Sequence, residues 1–266
     1  MGTKAIWRIA GAVSLLATLL FLAGFGYAVS DMLYPRNGIA APERTGDDAT
    51  SNPTKDGYRI VALGDSLTQG TGDDAGEGYV KKTVKLLKDK SGKPVTLVNN
   101  LGIGGLRADQ LADTLADNRS YADAIRQANL ILLTIGGNDL FRSAQGALHT
   151  PQGIQTELAD EFVSEGLDRL DHILTQLHAV NPEARIIYVG LYNPFYGVPG
   201  LRAGSETVQA WNAGAYRLLS RYPSATLVPT YDLFEQTIER YLSGDRFHPN
   251  GSGYAAIAQR VVQSIE

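Results

Sequence analysis

Two periodicities alternate along the chain from residue 58 onward. Short apolar runs of strand length are followed by longer stretches in which apolar positions recur every three or four residues. Tyr58 to Leu63, Pro94 to Asn99, Leu130 to Ile135, Arg185 to Val189 and Ala225 to Val228 read as strands. The run Leu130-Ile131-Leu132-Leu133-Thr134-Ile135 is apolar without alternation, as expected of a strand covered on both faces. Helical spacing predicts helices near 79–90, 106–116, 121–127, 154–180, 206–221, 233–241 and 251–265. On the longest, Leu158, Phe162, Leu170, Ile173, Leu174 and Leu177 recur at helical spacing, and Asn181-Pro182 ends it, because the residue before proline is biased out of the helical region. Between the fourth strand and the next helix lies an aromatic, Pro- and Gly-rich loop, Leu191 to Gly204. Five strands with helices between them predict an α/β domain, a parallel sheet with helices on both faces, over residues 58–266.

The first 57 residues follow neither pattern. Lys4 and Arg8 precede an uncharged apolar run from Ile9 to Ser30. At helical rise this run is roughly 33 Å long, enough to cross a hydrocarbon core. Two expectations compete for residues 1–30. A signal peptide would be cleaved after small residues such as Ala28-Val29-Ser30. An uncleaved anchor fits the length and the flanking charges better. Either would carry the rest of the chain out of the cytoplasm, tethered or secreted. Residues 31–57, with Pro35, Pro42 and Pro53 among Gly, Asp, Ser, Thr and Asn, read as a flexible linker spanning roughly 30 Å.

Composition narrows the function. The chain has 266 residues and a net charge of -4, with no basic stripe of the kind that grips a nucleic-acid backbone, so no nucleic-acid partner is expected. The absence of cysteine excludes disulfides, thiolate metal sites and a cysteine nucleophile.

The candidate chemistry sits where predicted elements end. Gly64-Asp65-Ser66-Leu67 follows the first strand and presents the Ser66 hydroxyl at the carboxyl edge of the sheet, where open α/β sheets bind ligands. A serine hydroxyl needs a base, a group to orient that base, and donors for the oxyanion it creates. His248 can take the proton. Asp245 lies three residues earlier, a spacing that lets a tight turn bring its carboxylate to the imidazole. Asn138, in Gly136-Gly137-Asn138-Asp139 after the third strand, offers a side-chain N–H pair. The glycines of Asn100-Leu101-Gly102-Ile103-Gly104-Gly105 let a backbone N–H approach substrate, and the Ser66 N–H completes an oxyanion hole.

These four blocks, in this order, resemble the SGNH (GDSL) hydrolase family of esterases and lipases, most closely its bacterial lipase/acylhydrolase members, over residues 58–266. The resemblance implies a flavodoxin-like three-layer α/β/α sandwich, no metal or cofactor, and an acyl-enzyme on Ser66. It makes Gly105 the oxyanion glycine, with Gly104 and Gly102 as alternative registers, and makes Asp65 and Asp139 supports rather than acids or bases. The expected substrates are lipid or lysophospholipid esters. The alternatives are acetyl groups on cell-wall or extracellular polysaccharide and, further off, ligand binding without catalysis. The expected protein is a monomer whose contact with membrane is its N-terminal segment.

Other suggestive residues have plainer readings. His172 and His178 fall on the long helix without acidic partners, and His149 follows the third block in a loop. Asp73, Asp74 and Glu77 lack the spacing of a calcium loop and read as a solvated acidic stretch. Tyr192 and Phe195 are candidates to line a substrate pocket or simply to pack over the core.

Overall fold

The computed structural model describes residues 57–141, 156–196, 204–235 and 237–265, with scattered residues between 14 and 24. Residues 51–266 form one compact unit, separate from residues 1–50. The apolar run Ile9 to Ser30 falls largely outside the described residues, as do the linker and His149. Among the described residues no helix is long and apolar enough to cross a membrane, so the anchor and signal expectations gain no support here.

The expected sheet is present. Its strands are β1 (Tyr58–Gly64), β2 (Val95–Gly102), β3 (Leu130–Thr134), β4 (Arg185–Val189) and β5 (Ala225–Val228). All pairings are parallel and the order is β2-β1-β3-β4-β5. The chain therefore steps one way from β1 to β2 and returns past it to β3. Loops leaving the carboxyl ends of β1 and β3 separate at that switch, which opens a crevice there.

Helices α1 (Ser66–Gln69), α2 (Gly78–Ser91), α3 (Ala108–Asp117), α4 (Arg119–Gln127), α5 (Thr156–Val180), α6 (Gly204–Leu219), α7 (Tyr231–Glu235), α8 (Ile238–Tyr241) and α9 (Gly251–Ile265) surround the sheet. Alternate residues of β1 feed two separate cores. Val61 and Leu63 pack with α3, α4, α5 and α6 on one face, while Ile60 and Ala62 pack with α2 and α9 on the other. Burial on both faces is why β3 shows no polar alternation: Leu130 to Leu133 are all buried.

Three boundaries differ from the sequence expectation. The stretch expected as one helix over 233–241 is two short ones, α7 and α8, with Thr237 between them. Strand β2 continues through Gly102, so Asn100 to Gly102 lie within the sheet and not in the loop after it. Pairing with β1 extends it: Gly64 faces Gly102 after a register shift beyond Ile60. And Ser66 opens a short helix instead of sitting in a bare turn. Gly64 makes the sharp exit from β1 with φ 134, and a Cβ there would lie 1.9 Å from the Thr134 carbonyl oxygen.

Candidate active site

The corner after β1 is held from below by a buried polar chain. The Asp65 carboxylate caps α1, accepting the Leu67 N–H at 3.0 Å and the Thr134 hydroxyl at 2.8 Å. The Thr68 hydroxyl lies 2.6 Å from that of Thr134 and donates to the Leu63 carbonyl at 3.0 Å. Asp65 is 2% exposed, and burial pushes its carboxyl up from 3.8 to about 6, against the opposing hydrogen bonds from Thr134 and Leu67. Its carboxylate points into the fold and not at a reacting centre, which fits a support.

Ser66, first in α1, directs its Oγ to His248 Nε2 at 2.9 Å across 182 residues of sequence. His248 Nδ1 lies 2.7 Å from Asp245 Oδ2. An ionised carboxylate only accepts, so this contact places the proton on Nδ1 and leaves the Nε2 lone pair toward Ser66. The second carboxylate oxygen of Asp245 accepts the N–H groups of Phe247 and His248, both at 2.9 Å, and the Ser243 hydroxyl at 2.7 Å. Partial burial would push the Asp245 carboxyl up; the bonds from His248, Ser243 and the two backbone donors outweigh it and hold the group well below the usual carboxylate range. The Asp-x-x-His turn closes with Arg246 at φ 55, a left-handed conformation uncommon for a side-chain-bearing residue. Its ends are joined by the Leu242–Pro249 bridge and a bond from the Ser243 N–H to the His248 carbonyl at 2.8 Å.

Asn138 lines the same cavity as Ser66. Asn138 Nδ2 donates one hydrogen to the Leu106 carbonyl at 2.9 Å, which fixes the amide and leaves its second hydrogen for a ligand. Asp139, buried, accepts the Ala108 N–H at 3.0 Å at the start of α3 and pairs with Arg169 at 3.5 Å, tying the third block to α3 and α5. Burial raises its carboxyl, opposed by those two partners. Of the candidate glycines, Gly102 has its N–H engaged by the Asn100 side chain at 3.1 Å, whereas Gly105 lies in the exposed turn at φ 76, a conformation that selects glycine.

Beside Ser66 and Asn138 opens a cavity of about 130 Å³ with walls of Leu140, Phe141, Phe162, Leu191, Val208 and Phe247. Tyr192 and Phe195 both line it. Tyr192 does more: its hydroxyl donates to the Phe247 carbonyl at 2.7 Å and its ring stacks on Phe234, bracing the His248 loop. Phe195 stacks on Phe141, with centroids 5.7 Å apart, and Phe247 packs against both.

Family-wide similarity settles the class. Residues 62–256 match the model of the GDSL-like Lipase/Acylhydrolase family. The chain belongs to the GDSL-like lipase/acylhydrolase family. It is a carboxylic ester hydrolase. This GDSL hydrolase is 36% identical to YpmR of Bacillus subtilis (strain 168), a protein described as uncharacterized, over 82% of this chain and 85% of that one. It is 27% identical to the spore germination lipase LipC of Bacillus licheniformis, over 76% and 94%. Among solved structures it resembles the lipase Lip_vut3 from a goat rumen metagenome, with TM-score 0.70 and 24% identity over 78% of this chain and 97% of that one.

Sequence reasoning missed several residues of this GDSL hydrolase site. Ser243, Phe141, Phe162 and Val208 belong to no motif, Phe247 lies within the Asp-x-x-His block without a role read for it, and the four cavity residues among them come from four separate segments of the chain. Ser243 carried a faint signal, a hydroxyl two residues before an Asp-x-x-His turn. The acidic stretch is solvated at Asp74 and Glu77 but not at Asp73, whose side chain is 3% exposed and accepts Ala75 N–H, Gly78 N–H and Lys82, which also binds Glu77 at 2.8 Å. His172 and His178 are exposed on α5, and no cluster of three metal-ligating side chains occurs among the described residues.

Proposed function

We propose that the chain hydrolyses esters of medium or long acyl chains, such as lipid or lysophospholipid esters, through an acyl-enzyme on Ser66. The single observation that carries the substrate reading is the apolar cavity opening beside Ser66, larger than an acetyl group requires. As Ser66 Oγ attacks the ester carbonyl, its proton passes to His248 Nε2 over the 2.9 Å contact, and Asp245 stabilises the imidazolium that forms. The tetrahedral oxyanion is held by the N–H groups of Ser66 and Gly105 and by Asn138 Nδ2. The Ser66 N–H, first in α1, has no acceptor within its helix. His248 then gives the proton to the departing alcohol, and water, activated by the same imidazole, releases the acid.

The test is hydrolysis of p-nitrophenyl esters from acetate to palmitate by the full chain beside its Ser66→Ala variant. Ser66-dependent activity rising with chain length is the expected result. A sharp preference for acetate overturns the lipid reading in favour of acetylated glycans. The apolar run Ile9 to Ser30 behind Lys4 and Arg8 supports a membrane-held domain on the outer side. Fractionation of cells making the full chain tests this: recovery as an unprocessed soluble cytoplasmic protein overturns it.

A further inference from the structure

The two helix layers carry opposite charge. α2 holds Lys81, Lys82, Lys85, Lys88 and Lys90 against Asp89, and α9, packed beside it, has no acid and one base, Arg260, which pairs with Asp232 of α7. Across the sheet, α5 carries Glu157, Asp160, Glu161, Glu165, Asp168 and Asp171 against Arg169, and α3 carries Asp109, Asp113 and Asp117 with no base. A net charge of -4 hides this division.

Lys81, Lys85 and Lys88 are spaced four and three residues apart, so they share one face of α2, and all three are exposed. Lys82 is the member of the group committed inward, to Asp73 and Glu77. Among the described residues no carboxylate pairs with Lys81, Lys85, Lys88 or Lys90; the Lys81 ammonium donates to the Gly76 carbonyl at 2.9 Å. The row runs down the flank from the loop whose Gly72 abuts His248 to the foot of β1. There Lys93 stands 6.0 Å from the Tyr58 ring centre, where the segment 31–56 joins the domain.

We propose that this face of α2 docks the domain on an anionic lipid surface. Attraction of lysine to an anionic leaflet fades within a Debye length, about 8 Å at physiological salt. The carboxylates of α3 and α5 lie across the sheet from this face, and against its lysines stand Asp89 on α2 and Asp74 and Glu77 in the loop before it, which leaves the face of α2 itself net cationic. No large apolar side chain of α2 is exposed, which suits adsorption at the headgroups without insertion. The face has no exposed aromatic ring for stacking bases, which disfavours a nucleic-acid partner. An apolar run of membrane-spanning length ahead of a linker makes lipid the partner that the rest of the chain supports.

The absence of cysteine makes a direct test simple. Ser91→Cys, on α2, and Ser164→Cys, on α5, are each labelled with a donor fluorophore in the full chain. Energy transfer is read to an acceptor lipid in vesicles of phosphatidylcholine, alone or mixed with phosphatidylglycerol. Transfer from Ser91→Cys should exceed that from Ser164→Cys when phosphatidylglycerol is present and fall at high salt. It should vanish on adding Lys81→Glu, Lys85→Glu and Lys88→Glu, an effect on the order of 100-fold in apparent affinity for three lysines. Hydrolysis of a soluble p-nitrophenyl ester by the triple variant should be unchanged, which separates this proposal from the catalytic one. Equal transfer from both labels, or transfer indifferent to phosphatidylglycerol, overturns it. Indifference to lipid combined with protection of these lysines from acylation by inorganic polyphosphate would assign the face to a soluble polyanion instead, and also overturns it.

Discussion

Two carboxylates flank the serine–histidine contact, one residue before Ser66 and three before His248, and their surroundings drive them in opposite directions. Asp65 is enclosed at the sheet edge and is pushed up to about 6 by burial, despite two hydrogen bonds. Asp245 is 45% exposed at its side chain, yet four donors hold it far down. Exposure alone does not set a carboxylate's charge. The number of donors aimed at it, set against the water it loses, does. The carboxylate needed charged beside an imidazole stands in a turn that points four N–H and O–H groups at it. The one that only shapes a corner is left nearly dry.

The largest effects test the charged arm. Ser66→Ala should lower kcat by on the order of 10⁴–10⁶ with the fold intact, read by steady-state ester hydrolysis and circular dichroism. Asp245→Asn should cost on the order of 10³–10⁴ in kcat with little change in KM, because an amide can donate to Nδ1 and favour the wrong tautomer. Full activity in that variant would remove Asp245 from the contrast.

The buried arm makes a stability prediction of opposite sign. A carboxyl whose folded value is raised has its stabilising share fully present below the unfolded 3.8 and loses it as pH rises through about 6. That rise corresponds to roughly 3 kcal/mol. Asp65→Asn keeps an acceptor for Leu67 and Thr134 and removes the charge. Relative to wild type it should therefore gain up to about 3 kcal/mol between pH 4 and pH 7 in denaturant unfolding. A constant difference across that window would show that Asp65 is not held dry.

Smaller effects sharpen the comparison. Ser243→Ala removes one of the four donors to Asp245 and should lower kcat about tenfold or less, with Ser243→Thr restoring it. Arg246→Gly relieves the left-handed backbone and should stabilise the domain by about 1 kcal/mol or less in thermal melts, since glycine's added unfolded-state freedom offsets part of the relief.

The fold was legible because each strand carries its own signature. β3 declares double burial by its unbroken apolar run, and Asn181-Pro182 marks the end of α5 within a residue. The site residues were legible because their chemistry demands particular residue types at element ends. What stayed hidden is what only packing makes. The cavity wall joins Phe141, Phe162, Val208 and Phe247 from separate segments, and any bulky apolar residue could serve at each. The bracing role of Tyr192 depends on a carbonyl 55 residues away. The extra length of β2 came from pairing with β1, which overrode the glycine and asparagine that signalled a loop.

The turn from Leu242 to Pro249 has one more consequence. Asp245 and His248 are joined to each other by backbone and side-chain bonds within a single closed loop, while Ser66 stands at the start of α1, just beyond the end of β1. Any drift of the loop carries acid and imidazole together and leaves their separation untouched. The readiness of the three groups thus reduces to one coordinate, the gap between a loop and a helix start. The Tyr192 hydroxyl, bonded to the Phe247 carbonyl, and the Gly72 backbone, close against His248 and Pro249, both bear on that gap.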